Sequence, residues 1–401
     1  MDDRVLFHAD CNNFFASCEC LERPELKNVP MAVAGDPQTR TGVVVAKNEL
    51  AKRYGVRTTD TVWQARKKCP EIVFVPPRHD LYSAVSRRVN AIYAEYTEFV
   101  EPASIDESYL DVTEALPFYG LAPRTLADEL RRRVREEIGI TISVGVSFCK
   151  VFAKMGSDYK KPDATTVITR ENYRQLLWPL PVSDLLFAGA AAVKRLHGRQ
   201  ILTIGDLARA DPEDIRALLG RQGETLWRYA NGLDEERVRL LGEKQEIKSV
   251  SRGRTFPRDL LTEAEVQKGL MPLVDEVARS LRRHGLTGSV VSVQIRRPDL
   301  SVISRQTTLP RSTCLQREIQ QAAFRLMREH WRFGDPIRAL TVGVTRLLSA
   351  DQVTEQLTMF DLDAADRARR ERREKLEAAV EALRQKHGDR SIHLGMGETE
   401  E

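Results

Sequence analysis

Three carboxylates are the residues best placed to do chemistry. Asp106 and Glu107 lie in the run Ser104-Ile105-Asp106-Glu107-Ser108-Tyr109-Leu110-Asp111, and Asp10 closes a short apolar stretch, Val5-Leu6-Phe7-His8-Ala9, near the start of the chain. Brought within about 4 Å of one another, carboxylates repel by roughly 4 kcal/mol per pair at an effective dielectric near 20, so without cations such a cluster protonates or splays apart. Hard oxygen donors suit Mg²⁺, which takes a few carboxylates together with substrate phosphates. Phosphoryl chemistry on divalent metal ions is therefore the first expectation.

The elements around these residues must bring them together. Val5 to Ala9 reads as a buried strand, Asp10-Cys11-Asn12-Asn13 as a strand-to-helix junction, and Phe14 to Glu19 as the helix. Adjacent strand residues face opposite sides of a sheet, so Asp106 and Glu107 serve one site only beside a turn or bulge, and Glu101-Pro102-Ala103-Ser104 supplies that break. Two short strands around a Gly35-Asp36-Pro37 turn, followed by a helix from Asn48 to Tyr54, predict a small separate lobe. An amphipathic helix over Leu81 to Tyr96, another near Leu126 to Ile138 and a strand over Ile140 to Ser147 complete an α/β or split βαβ alternation.

Beyond Leu180 the pattern changes to short helices punctuated by Gly189, Gly198, Gly205, Gly220 and Gly223, which predicts a small helical domain up to Leu233. Gly242 to Asp259 is charged and reads as an exposed tether. Two alternating strands, Val291 to Ile295 and Leu340 to Val344, then sit among amphipathic helices in an α+β domain. The last fifty residues are charge-rich, with Leu376, Val380 and Leu383 on one helical face. The fold class is α+β multidomain, as 401 residues suit two to four domains.

Composition narrows the function classes. Net charge is only +4 although 30% of residues are charged, so a nucleic-acid surface requires local segregation of basic groups. No apolar run approaches a membrane span, and Met1-Asp2-Asp3-Arg4 lacks the basic and apolar stretches of a secretory leader, so a cytoplasmic protein with no membrane association is expected. Six scattered cysteines without paired CxxC units predict reduced, packed thiols rather than zinc ligands.

Asp10, Phe14-Phe15, Ser104-Ile105-Asp106-Glu107 and Ser143-Val144-Gly145-Val146-Ser147, in this order, resemble the Y-family translesion DNA polymerases of the bacterial polymerase IV type, over residues 5 to about 390. The resemblance implies an open right hand: a ferredoxin-like palm over 1–20 and 79–168, fingers over 21–78, a helix-hairpin-helix thumb over 169–234, a linker over 235–252, a little finger over 253–348 and a tail over 349–401. It implies that Asp10, Asp106 and Glu107 are catalytic and, with the Cys11 backbone carbonyl, hold two Mg²⁺ ions, which Mn²⁺ can replace. The reaction implied is template-directed addition of deoxynucleotides to a primer 3′ end, with tolerance of damaged template bases.

By the same resemblance, Phe14 and Phe15 are nucleotide-binding, with Phe15 the steric gate against a ribose hydroxyl, although both could be core aromatics of an amphipathic helix. Lys52 and Lys161 would contact the incoming triphosphate, where solvated surface lysines are the alternative reading. Glu49, Lys52 and Cys149 depart from the commoner family residues, and Cys149 reads as a packed thiol. Gly189 and Gly205 belong to hairpins whose amides would hold DNA phosphates, unless tight helix packing alone explains them. Lys248, Arg252, Arg254, Arg296, Arg297, Arg305 and Arg311 would track primer-template DNA, or form a solvated rim. Gln356-Leu357-Thr358-Met359-Phe360 resembles the peptide that binds the bacterial sliding clamp. A monomer is expected. The competing readings are a non-catalytic DNA- and clamp-binding paralogue and a nucleotidyl cyclase with a palm-like acid site.

Overall fold

A computed structural model describes residues 4–36, 38, 40, 42–243, 245–349, 364–388 and 391–392. The chain divides into two units, Met1–Lys244 and Gln245–Glu401. In the first, β1 (Leu6–Cys11) is buried along its whole length and leads through Asn13, at φ 49°, into α1 (Phe14–Glu22). The expected strand end at Ala9 is therefore two residues too early: Asp10 lies inside β1, and Asn13 makes the turn.

The lobe that follows holds β2 (Met31–Ala34), β3 (Val44–Lys47), α2 (Glu49–Arg53), α3 (Val62–Lys68) and β4 (Val73–Val75), with its sheet in the order β3-β2-β4. The sequence pattern missed α3, whose start is fixed by a capping box between Thr61 and Gln64. Then come α4 (His79–Ala94), β5 (Val100–Pro102), β6 (Glu107–Asp111), α5 (Ala115–Tyr119), α6 (Pro123–Arg133), β7 (Ile142–Ser147), α7 (Lys150–Tyr159) and β8 (Thr165–Ile168). The sheet order β5-β6-β1-β7-β8 places β1 at the centre, antiparallel to β6 and β7. Phe7, Leu110, Leu126, Leu130 and Ile142 fill the core between sheet and helices; burying each such side chain contributes about 1.5–3 kcal/mol.

The helical domain is built from α8 (Tyr173–Leu177), α9 (Ala190–His197), α10 (Ile204–Arg209), α11 (Pro212–Leu219) and α12 (Arg221–Ala230). Residues 234–243 are not a loose linker. Arg239 donates to Glu101 at 2.6 Å, the Leu241 amide bonds the Glu98 carbonyl, and Arg4 reaches the Asp234 carbonyl, so this stretch is fastened to the central sheet's domain.

The second unit has a four-stranded antiparallel sheet, β11-β10-β12-β9, rather than two strands: β9 (Ser249–Leu260), β10 (Leu286–Arg296), β11 (Val302–Thr313) and β12 (Ile337–Ser349). The presumed tether over 242–259 and the linker end at 252 thus overlap an edge strand. Charge on β9 concealed its alternation, since an edge strand carries Arg252 and Arg254 without loss of pairing. Helices α13 (Glu263–Arg283) and α14 (Gln316–His330) cover one face through Val291, Val293, Ile295, Leu340, Val342 and Val344. The tail helix α15 (Ala364–His387) turns charge inward instead of the expected apolar face: Glu381 and Arg384 are buried in ion pairs with Arg279 and Asp275, at 2.9 Å each, while Leu376 and Leu383 are exposed.

Candidate active site

Antiparallel pairing sets Asp10 of β1 opposite Glu107 of β6, so both side chains leave the same face of the sheet. Lys154 bridges them, with its ammonium 3.1 Å from Asp10 Oδ2 and 2.7 Å from Glu107 Oε1, and Lys161 approaches Asp10 Oδ2 at 2.7 Å. Asp158 meets the same two lysines, at 3.1 and 2.6 Å. Burial pushes the Asp10 carboxyl up, but hydrogen bonds with Glu107 and Lys161 and the ammonium charges outweigh it, so Asp10 titrates below the usual carboxylate range. At Glu107 burial and the hydrogen bond with Asp10 prevail over Lys154, and its carboxyl titrates above that range.

Helix α7 delivers Lys154 and Asp158, with Lys161 two residues past its end, because β7 offers it a surface without a side chain. A Cβ on Gly145 would lie 1.9 Å from the Ala153 carbonyl oxygen and 2.4 Å from the Ser157 nitrogen, so only glycine lets the helix cross there. His8, two residues before Asp10 and on the same strand face, lies under the pair. The Ser157 hydroxyl donates to the Lys154 carbonyl at 2.8 Å, so the 2.8 Å bond to His8 Nδ1 requires Nδ1 to donate. Burial and the nearby Lys154 charge lower the His8 pKa to about 3, leaving a neutral ring whose buried Nε2 has no hydrogen-bond partner and lies 3.9 Å from Glu107.

Asp106 occupies the bend between β5 and β6, where the expected break falls. Its carbonyl accepts from the Cys11 amide at 2.9 Å, but its carboxylate accepts from Ser104 Oγ at 2.7 Å. Asp10 and Glu107 are thus gathered as a pair, and the Asp106 carboxylate, one residue along, is turned to Ser104. Among the described residues no three His, Cys, Asp or Glu side chains stand close enough to hold an ion. Repulsion explains the arrangement: ammonium charge neutralises two acids here, and a third needs more positive charge than two lysines already shared with Asp158 supply. The all-oxygen donor set, with cationic groups already seated on it, fits hard divalent cations.

Phe15, half-buried on α1, stacks on Tyr82 with ring centroids 4.1 Å apart and meets His79 edge-on at 5.8 Å. Tyr82 donates to buried Glu19 at 2.7 Å, and Arg78 grips the same carboxylate at 2.7 Å. Phe14, expected beside the nucleotide, is instead buried in the core. Lys52 is exposed and lies 3.5 Å from Glu49, which also accepts from Asn13 at 3.0 Å, so Glu49 holds the fingers lobe to the head of α1.

Residues 9–158 match the impB/mucB/samB family and residues 247–359 match that family's C-terminal domain. The chain is 41% identical to DNA polymerase IV of Acetivibrio thermocellus over 98% of its own length and 97% of the relative's, and 36% identical to DNA polymerase IV 1 of Bacillus subtilis over 98% and 92%. A solved Y-family DNA polymerase chimera, 23% identical, shares the fold with a TM-score of 0.75 over 86% of this chain and 99% of that one. The chain belongs to the Y family, of the DNA polymerase IV type.

In Y-family terms the acid pair lies in the palm, Glu49 and Lys52 in the fingers, and α8 to α12 form the thumb. The two thumb glycines separate. Gly189 is exposed ahead of α9, and a Cβ there meets nothing within 4 Å. Gly205 is buried, its amide bonds the Trp178 carbonyl at 3.0 Å, and a Cβ would lie 2.9 Å from Trp178 Cβ. Packing explains Gly205, so its assignment to a DNA phosphate is withdrawn.

The little-finger cations do not form one cluster. Arg252 and Arg254 lie on edge strand β9 and Arg305 on the opposite edge, β11, with β10 and β12 between them. Arg296 opposes Ala339 and Val302 on the sheet face away from the helices, Arg297 caps the Trp331 ring at 5.4 Å, and Lys248 is exposed just before β9. Gln356, Leu357, Met359 and Phe360 lie outside the described residues. Cys149 is buried at the head of α7, where burial pushes its thiol up to about 12, as expected of a packed cysteine. Sequence reasoning missed His8, Lys154, Asp158 and the Glu19-Arg78-Tyr82 network. The two-residue spacing of His8 from Asp10 and the four-residue spacing of Lys154 from Asp158 were the available signals.

Proposed function

We propose that this chain is a template-directed DNA polymerase that extends a primer 3′ end with deoxynucleotides and performs translesion synthesis. Polymerase IV relatives at up to 41% identity over nearly the full chain support that activity. The observation that carries the mechanism is the cross-strand Asp10–Glu107 pair under two lysines, with Asp106 beside it. Divalent metal dependence follows from family membership. Asp10, Asp106, Glu107 and the Cys11 carbonyl would hold two Mg²⁺ ions, with Mn²⁺ able to replace them. When bound, such ions supply Lewis acidity to an in-line displacement at phosphorus. These acids would hold that charge in place of the Lys154 and Lys161 ammoniums. Lys161 and, from its place beside Glu49, Lys52 would contact triphosphate oxygens, Lys52 as a point charge without a bidentate fork.

Phe15, held by Tyr82, bars a 2′-hydroxyl by steric clash. Primer-template DNA runs along the thumb at Gly189 and along the little finger at Lys248, Arg252, Arg254, Arg296 and Arg305. Gln356, Leu357, Met359 and Phe360 dock on a bacterial sliding clamp, and the protein acts as a cytoplasmic monomer. Among the described residues no helix is long and apolar enough to cross a membrane. The test is primer extension on undamaged and lesion-bearing templates. Extension by the parent protein should require Mg²⁺, and Asp106→Ala should abolish it while duplex binding persists. Comparable extension by Asp106→Ala would exclude the role given to that carboxylate.

A further inference from the structure

The tail helix α15 returns to the little finger and changes its charge. Between it, α14 and the end of β11 lies a cavity of about 580 Å³ whose lining includes Arg311, Arg325, Arg370 and Arg373 with a single acid, Glu318. The four guanidinium groups come from three elements, two of them from the tail helix. Arg370 is the tie: its side chain is 19% exposed, donates to the Ser312 carbonyl at 2.9 Å and lies 3.8 Å from Glu318 and 3.4 Å from Glu374. Arg325 is exposed and reaches Thr307 Oγ1 at 3.5 Å, two residues along β11 from Arg305. The basic edge of β11 therefore continues into the cavity.

We propose that this cavity is a second anion site that grips DNA backbone phosphate, with α15 as a nucleic-acid-binding element of the little finger. The proposal rests on the polymerase reading for its partner, but its residues are separate from the palm. Planar guanidinium forks bind phosphate oxygens in pairs, and the four around this cavity carry more charge than Glu318 and Glu374 together. Nucleic acid is favoured over an acidic peptide because the basic edge of β11, with Arg305, leads into the cavity.

The experiment uses the full chain, with the paired variant Arg325→Gln/Arg373→Gln, which spares the Arg370 tie. Primer-template affinity is measured across salt concentrations. Losing one or two phosphate contacts should make the slope of log affinity against log salt shallower by about one to two, and Arg325→Lys/Arg373→Lys should restore it. Single-nucleotide insertion at saturating DNA should be unchanged in both variants, and a defect there would point to the polymerase reading instead. A parental slope in the glutamine pair, or a shallow slope that lysine does not restore, would overturn the proposal. So would thermal stabilisation by inorganic phosphate, or competition by a polyglutamate peptide, that is lost in the glutamine pair while DNA binding is not.

Discussion

The palm and the little finger handle charge in opposite ways. In the palm, carboxylates and lysines are partly or wholly buried and share partners: Asp10 has two ammoniums, and Glu101 is held by Lys150 at 2.8 Å and Arg239 at 2.6 Å. In the little finger, Arg254, Arg296 and Arg305 are exposed and lie on different strands. Buried charge is tolerated only when paired and hydrogen-bonded, so partners on several sides fix each group's position in the palm. Exposed charge is screened and mobile, which suits contacts to a polymer with no required register. One region is built for geometry and the other for sequence-independent attraction.

The sharpest way to break the comparison is at the gate. If the palm works by fixed geometry, Phe15→Ala should raise ribonucleotide insertion relative to deoxynucleotide by about 10- to 200-fold, the range available to a purely steric pocket. Single-nucleotide insertion kinetics with paired ribo and deoxy substrates provide the measurement. Unchanged discrimination would move the gate elsewhere.

That contrast also explains what could be read from the chain before its structure. The acids were legible because a turn between Pro102 and Asp106 and the pairing of β1 with β6 leave few arrangements for them, and the alternation around Ile142 to Ser147 specified β7. Lys154 was not, because its role depends on α7 crossing β7 at Gly145, a tertiary approach that no local period encodes. The second unit was harder. Its edge strand β9 is studded with arginines and looked like a tether, and α15 docks through Glu377, Glu381 and Arg384, against the rule that a helix buries its apolar face.

A second prediction sharpens the palm side. Lys154 stands where divalent charge is expected, so Lys154→Ala should leave the acid pair under-neutralised and cost about 1–3 kcal/mol of stability without metal. Added Mg²⁺ should recover part of that loss, because a ligand bound only by the folded state stabilises it by mass action. Thermal melts with and without Mg²⁺ would show a larger metal-induced rise in Tm for the variant than for the parent. Equal rises would mean that ammonium and metal do not compete for the same oxygens.

The smallest effect is expected in the thumb, where two glycines of the same sequence pattern occupy opposite environments. Gly205→Ala gains up to about 1 kcal/mol of helix propensity but drives a methyl against Trp178, an overpacking cost of about 1–3 kcal/mol, so a net loss near 1 kcal/mol is expected. Its salt slope for DNA should equal the parent's, since the Gly205 amide is already bonded to Trp178 and has none to offer a phosphate. Gly189→Ala has open space around it, so its stability should change by no more than about 0.5 kcal/mol, and any change in DNA affinity there reports directly on the surface ahead of α9. Comparing chemical denaturation with DNA titration for the two variants separates packing from contact. A Gly205→Ala protein with parental stability and weakened DNA binding would return that glycine to the DNA surface and show that the thumb hairpin opens to expose its amide.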